Sequence, residues 1–148
     1  MPENRLVNGG VCLSVVSHGQ GALLKALLAD LFLVRPPSLE RLIITCNISE
    51  PVELPSLAPF WIEVVENREP KGFGANHNAA LKRCGEPFFA VCNPDIRLRE
   101  DPFPVLLAAL SAGRALSAPA VVSPRASSRL MVPASPKSRT ASAACTVM

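Results

Sequence analysis

Glu66 to Asp101 reads ENREPKGFGANHNAALKRCGEPFFAVCNPDIRLRED, and the fold follows from how this stretch divides. Phe88-Phe89-Ala90-Val91-Cys92 carries no charge and lies between Pro87 and Pro94. An uncharged apolar run bounded by prolines predicts a central strand, buried on both faces of a mostly parallel sheet. Asn93-Pro94-Asp95 follows it directly, so the carboxyl end of that strand carries a lone acid. Ligands of open α/β sheets bind outside the carboxyl ends of the strands, which singles out Asp95 among the acids of the chain. Upstream, Gly72 and Gly74 predict a tight turn where the backbone can approach a ligand more closely than a Cβ would permit. Asn76 to Cys84 then predicts a short helix stopped by Gly85, whose free N–H groups and positive dipole end suit an anion.

Outward from this stretch the same alternation of strand and helix continues. Val11 to Val16 predicts a first strand, with Ser17-His18-Gly19-Gln20 as the turn after it. Leu23, Leu24, Leu27, Leu28 and Leu31 form one apolar stripe at helical spacing, Lys25 and Asp30 fall off it, and Pro36-Pro37 ends the helix. Leu42 to Cys46 predicts the second strand, followed by Asn47-Ile48-Ser49, and Phe60 to Val65 a third that ends at Asn67. Downstream, Asp101-Pro102 is a helix start and Phe103 to Ala112 runs to Gly113. The expected fold class is therefore α/β, a three-layer α/β/α sandwich with a mostly parallel sheet.

Several of these pieces, in this order and spacing, resemble the donor-binding half of a family 2 glycosyltransferase. They are Val11 to Ser17, Ile43 to Ser49, Asn67, Gly72-Phe73-Gly74-Ala75-Asn76-His77-Asn78 and Asn93-Pro94-Asp95. Asn-Pro-Asp in place of Asp-x-Asp points to the rhamnosyltransferase-like branch. The resemblance implies a GT-A-like nucleotide-diphospho-sugar-binding domain over residues 11–124, with residues 1–10 as a flexible lead-in and Leu116 to Pro124 as a further strand. It implies a nucleotide-sugar donor of the dTDP-rhamnose class, a saccharide or lipid-linked acceptor, and a place in cell-surface polysaccharide biosynthesis.

The donor-binding positions implied are Ser17, His18, Asn47, Asn67, Gly72, Gly74, Asn76, Asn78 and Asn93, with Asp95 as ligand to Mg²⁺ or Mn²⁺. An all-oxygen site with few protein ligands suits those ions. The residues themselves leave other readings open. His18 is equally a solvated loop residue, Asn47 an Asx-turn residue, Asn76 an N-cap, Asn78 a first-turn residue and Asp95 the closure of a turn. Cys46 stands where the family has an Asp, and a neutral thiol cannot accept a strong hydrogen bond from a base N–H. An inverting transfer also needs a general base for the acceptor hydroxyl, and no catalytic residue is assignable. The alternative function is thus a catalytically inactive nucleotide-sugar-binding fragment.

Composition narrows the remaining classes. The net charge is +3 over 148 residues, yet residues 1–101 hold ten Lys/Arg against all twelve Asp/Glu. The positive balance belongs to the remainder, which has no aromatic interleaving, so no nucleic-acid partner is expected. The most apolar run, Ala22 to Val34, is too short for a membrane span and contains Lys25 and Asp30. Any membrane association would be peripheral, and a cytoplasmic location is expected. Five cysteines without CxxC or Cys/His metal spacing predict buried reduced thiols. Residues 125–148, dominated by Ala, Ser, Arg and Pro, lack periodicity and are expected to be a disordered tail arising from a frameshift or mis-set gene end.

Overall fold

The computed structural model describes residues 10–111, 116–118 and 145–147. Four strands, β1 (Val11–Ser17), β2 (Leu39–Cys46), β3 (Trp61–Glu66) and β4 (Phe88–Cys92), are parallel neighbours, with β5 (Cys145–Val147) antiparallel at one edge. The spatial order is β3-β2-β1-β4-β5. Between the strands run α1 (Gly21–Val34) and α2 (Phe73–Leu81), and α3 (Phe103–Ser111) follows β4.

Alternation along the strands sorts the layers. Val11, Leu13 and Val15 of β1, with Leu42, Ile44, Ala90 and Cys92, face a core filled by Leu24, Leu27, Leu28 and Leu31 of α1 and Phe103, Leu106 and Leu107 of α3. Cys12, Ile43 and Phe89 point the other way, onto Ala80 of α2. The sheet is therefore covered on both faces, as a three-layer α/β/α domain with a mostly parallel sheet.

The expected boundaries hold at most elements, and three differ. β2 starts three residues earlier than the apolar run, at Leu39, which pairs with Val11 ahead of a register shift that leaves the exposed Glu40 as the extra residue before Arg41 pairs with Cys12. α2 starts at Phe73 with Gly72 as its cap in an extended conformation, so Asn76 is not the cap but a buried residue inside the helix. Three residues of the stretch expected to lack structure, Cys145–Val147, add an edge strand by pairing with Ala90–Cys92. The backbone groups of β4 would otherwise be left open on that side. The rest of residues 125–148, the lead-in 1–9 and residues 119–124 of the expected further strand lie outside the described residues.

The ends of α1 and α3 follow local rules. α1 closes at Arg35, in the left-handed region at φ 49°, whose N–H donates to Leu31 O. Pro36 then forbids continuation. Asp101 caps α3 by accepting from Phe103 N at 3.0 Å. Among the described residues no helix is long and apolar enough to cross a membrane.

Candidate functional site at the carboxyl ends of the strands

A cavity of about 250 Å³ opens at the carboxyl end of the sheet, lined by Val16, His18, Gln20, Asn47, Phe73, Asn76 and Asn93-Pro94-Asp95. Its walls come from the ends of β1, β2 and β4 and from the first turn of α2. Of the residues singled out in the sequence, His18, Asn47, Asn76, Asn93 and Asp95 meet there. Asn78 points away into solvent, and Gly72 and Gly74 do not line the cavity. Ser17 is buried beneath it, where its Oγ accepts from Gln20 N at 3.2 Å and shapes the turn. That turn also needs Gly19, at φ +73°, where a Cβ would come within 2.8 Å of Ile48.

Asn93-Pro94-Asp95-Ile96 forms a turn closed by Ile96 N donating to Asn93 O at 3.4 Å. Turn chemistry and placement at the cavity thus coincide. Pro94 is buried and Asn93 partly so, while the Asp95 side chain is exposed and has no ion pair among the described residues. Just beyond, Arg97 donates to the nearly buried Asp30 of α1 from Nε at 2.7 Å and from a second guanidinium nitrogen at 2.8 Å, and Leu98 N donates to the same carboxylate at 2.9 Å. The Arg97 bond holds the Asp30 carboxyl below the usual carboxylate range. This clamp pins the segment after Asp95 to α1. Sequence reading placed Asp30 off the apolar stripe and missed the clamp, since its partner lies sixty-seven positions away.

The asparagines do something the sequence could not show. Asn47 Nδ2 donates to Lys71 O at 2.9 Å, and its Oδ1 accepts from Lys71 N at 2.7 Å and Asn67 Nδ2 at 2.9 Å. Because a backbone N–H only donates and a carbonyl only accepts, these bonds fix which end of the Asn47 amide is which. Asn47 Nδ2 also lies 2.9 Å from His18 Nδ1, which must then be the acceptor. The proton of the neutral His18 ring sits on Nε2 in that arrangement. Asn67 Nδ2 donates further to Asn76 Oδ1 at 2.7 Å, and Asn76 Nδ2 to Lys71 O at 3.3 Å. Three amides thus lash the loop after β3 to the end of β2 and to α2, forming the floor of the cavity.

His77, from the same helix, is 5% exposed, with Nδ1 2.8 Å from Ser14 Oγ and Nε2 without a hydrogen-bond partner among the described residues. Burial pushes its pKa down to about 4. Cys46, at the position where the resembled family carries an acid, is fully buried, and burial pushes its thiol up. It offers no charge to the cavity.

At the opposite, amino end of the sheet, the ligand atoms of Cys12, Cys84 and Glu86 lie within 4.8 Å of one another. Both oxygens of Glu86 are already engaged, by Arg41 Nε at 2.9 Å and Gly85 N at 3.0 Å. Burial pushes both thiols up, and the guanidinium beside them disfavours a cation. The cluster packs the edge of α2 and is separate from the cavity.

No protein-family model matches the chain, and no curated protein matches it. Among solved structures it is similar to the mannosyltransferase PcManGT from Pyrobaculum calidifontis, determined in complex with GDP-Man and Mn²⁺. The two share 13% sequence identity at a TM-score of 0.50, over 62% of this chain and 29% of that one. At such identity the likeness concerns the fold, a GT-A-like α/β domain.

Proposed function

We propose that this chain binds the nucleotide-diphosphate part of a sugar donor in the cavity at the carboxyl ends of β1, β2 and β4, as part of a glycosyltransferase. The observation that carries this reading is the meeting of Asp95 with His18, Asn47, Asn76 and Asn93 around one hollow, from four separate segments of the chain. The resemblance of the Asn-Pro-Asp corner to the rhamnosyltransferase-like branch of family 2 supports a deoxysugar nucleotide such as dTDP-rhamnose as donor. The structural neighbour that binds GDP-Man with Mn²⁺ supports the wider class of nucleotide sugars and a divalent cation.

The residues present fit a hard cation. Asp95 offers an exposed carboxylate free of ion pairs among the described residues, and Asn93 an amide oxygen beside it. Ions of the Mg²⁺ and Mn²⁺ type take few protein ligands and complete their shell with phosphates and water. Such an ion supplies charge neutralisation for the diphosphate leaving group. The chain's own part is to hold that diphosphate in place and to keep Asp95 aimed at it through the turn and the Asp30–Arg97 clamp.

A second reading, a binding module without transfer activity, is favoured by the lining of the cavity. Its titratable groups are Asp95 and His18, and His18 already accepts at Nδ1 and carries its proton at Nε2. Neither is placed as a general base for an acceptor hydroxyl.

Thermal-shift titration with UDP, GDP and dTDP, each with and without Mn²⁺, tests the common part of both readings. A ligand at about 100 times its Kd stabilises by roughly 2.7 kcal/mol, and the shift should require the metal. Asp95→Asn should remove at least ~10-fold of the metal-dependent affinity while leaving unliganded stability within about 0.5 kcal/mol, as for other exposed sites. Metal-independent binding, or none, would sink the assignment.

A further inference from the structure

The cavity holds one feature that its polar chemistry does not account for. Phe73, the first residue of α2, is 61% exposed, and it is the one aromatic ring besides the His18 imidazole in a lining that otherwise comprises Val16, Gln20, Pro94, Asp95 and three asparagines. An aromatic ring left facing water among polar groups gains most from being covered by another flat, weakly hydrated surface. The ring is also held from behind. It meets His77 edge-on, with centroids 4.4 Å apart, and His77 is buried and bonded to Ser14 of β1. A platform already fixed in position loses little freedom when a ligand settles on it.

Phe73 and Asp95 reach the cavity from different elements: Asp95 follows β4, while Phe73 opens α2 two residues after Lys71, whose backbone is bonded to Asn47 at the end of β2. In a nucleoside diphosphate, the ribose holds the base and the diphosphate apart at opposite ends.

From this we infer that Phe73 is the stacking platform for the base of the nucleotide, a specificity-determining contact contributed by a different element from Asp95. The inference rests on the nucleotide-sugar reading above and adds the face of the molecule by which the nucleotide is held. Stacking is tolerant of base identity, because every base has a π-face. Discrimination among bases therefore falls to the edges, where His18 Nε2–H and the Gln20 amide are the available polar groups. Cys46 contributes none.

The test compares ligands with and without a base on the full chain. Binding of UDP, GDP and dTDP, and of inorganic pyrophosphate, all with Mn²⁺, is measured by calorimetry for the wild type, Phe73→Ala and Phe73→Trp. Expected is a loss of about 10-fold or more in nucleoside diphosphate affinity for Phe73→Ala, in line with the worth of one base–aromatic stack, and no change for pyrophosphate. Phe73→Trp should retain affinity, and its emission should change on nucleotide binding; Trp61, the one native tryptophan, lies at the amino end of β3.

Equal nucleotide affinity in wild type and Phe73→Ala overturns this inference and leaves the proposed function standing. Equal weakening of pyrophosphate shows that the ring only shapes the cavity, and overturns it too. A wild type that binds pyrophosphate but no nucleotide, or neither, removes both readings together.

Discussion

Asn47 illustrates how a polar residue at a ligand cavity can act chiefly on the protein. With 6% exposure and four hydrogen-bond contacts, it joins the ends of β1 and β2 to the loop after β3. A net value near 1 kcal/mol per bond, plus the cost of leaving Lys71 N and O unsatisfied, puts Asn47→Ala at about 2–4 kcal/mol of lost stability. Urea denaturation of the variant checks this, and a loss below about 0.5 kcal/mol would mean that the amide serves the ligand alone. His77 carries a second prediction at this scale. Its ring takes up a proton at about 4 in the folded protein against 6.5 as its ordinary value. Between those values the unfolded chain binds more protons than the folded one, so stability falls as pH falls. The contribution is complete above pH 6.5 and gone below about 4, for a total of roughly 3 kcal/mol. A protonated ring would bring a charge and an N–H without an acceptor into a closed site. Denaturation midpoints recorded across that window should slope downward with acid before Asp30, whose carboxyl is held low by Arg97, begins to titrate; a flat profile would contradict this account of His77.

At the scale of elements, what the sequence made legible was set by burial. Phe88–Cys92 and Val11–Ser17 are covered on both sides, so runs without a charge, apolar but for Ser14 and Ser17, marked them. The start of α2 was obscured by its glycines. Gly72-Phe73-Gly74 has the composition of a turn, yet Gly74 lies inside the helix with nothing within 4 Å of where a Cβ would stand. A glycine there costs about 0.5–1 kcal/mol relative to alanine, through backbone freedom lost on folding. Gly74→Ala is therefore expected to raise stability by about that amount, read as an increase in urea midpoint with unchanged slope. A decrease would show that the helix does not persist through this residue. The asparagine network and the Asp30–Arg97 clamp were beyond sequence reading for a different reason. An amide or carboxylate carries no mark of which backbone group, dozens of residues away, will occupy it. Five of the residues singled out by their order along the chain thus line one cavity, while which of them are also tied into the scaffold needed coordinates.

For the molecule as a whole, the proposed nucleotide-sugar reading has to fit a single cavity. The strand ends converge on a cavity of about 250 Å³, below the ~300–1,000 Å³ of sites that enclose a drug-sized ligand. That volume admits part of a nucleotide sugar and leaves no enclosed place for an acceptor hydroxyl beside it. The lining points the same way. On the proposed reading Asp95 holds the cation, and the His18 imidazole is tied through Nδ1 to Asn47, so among the described residues of the lining no group is positioned to remove a proton from an acceptor. Purified 148-residue protein is thus expected to bind nucleoside diphosphates in the presence of Mn²⁺ and to release no sugar from UDP-, GDP- or dTDP-linked donors above the uncatalysed rate, with simple saccharides as acceptors. Mass-spectrometric detection of transfer product measures this directly. Vigorous metal-dependent turnover would contradict this account, since it would require a base that the arrangement of His18 and Asp95 does not provide.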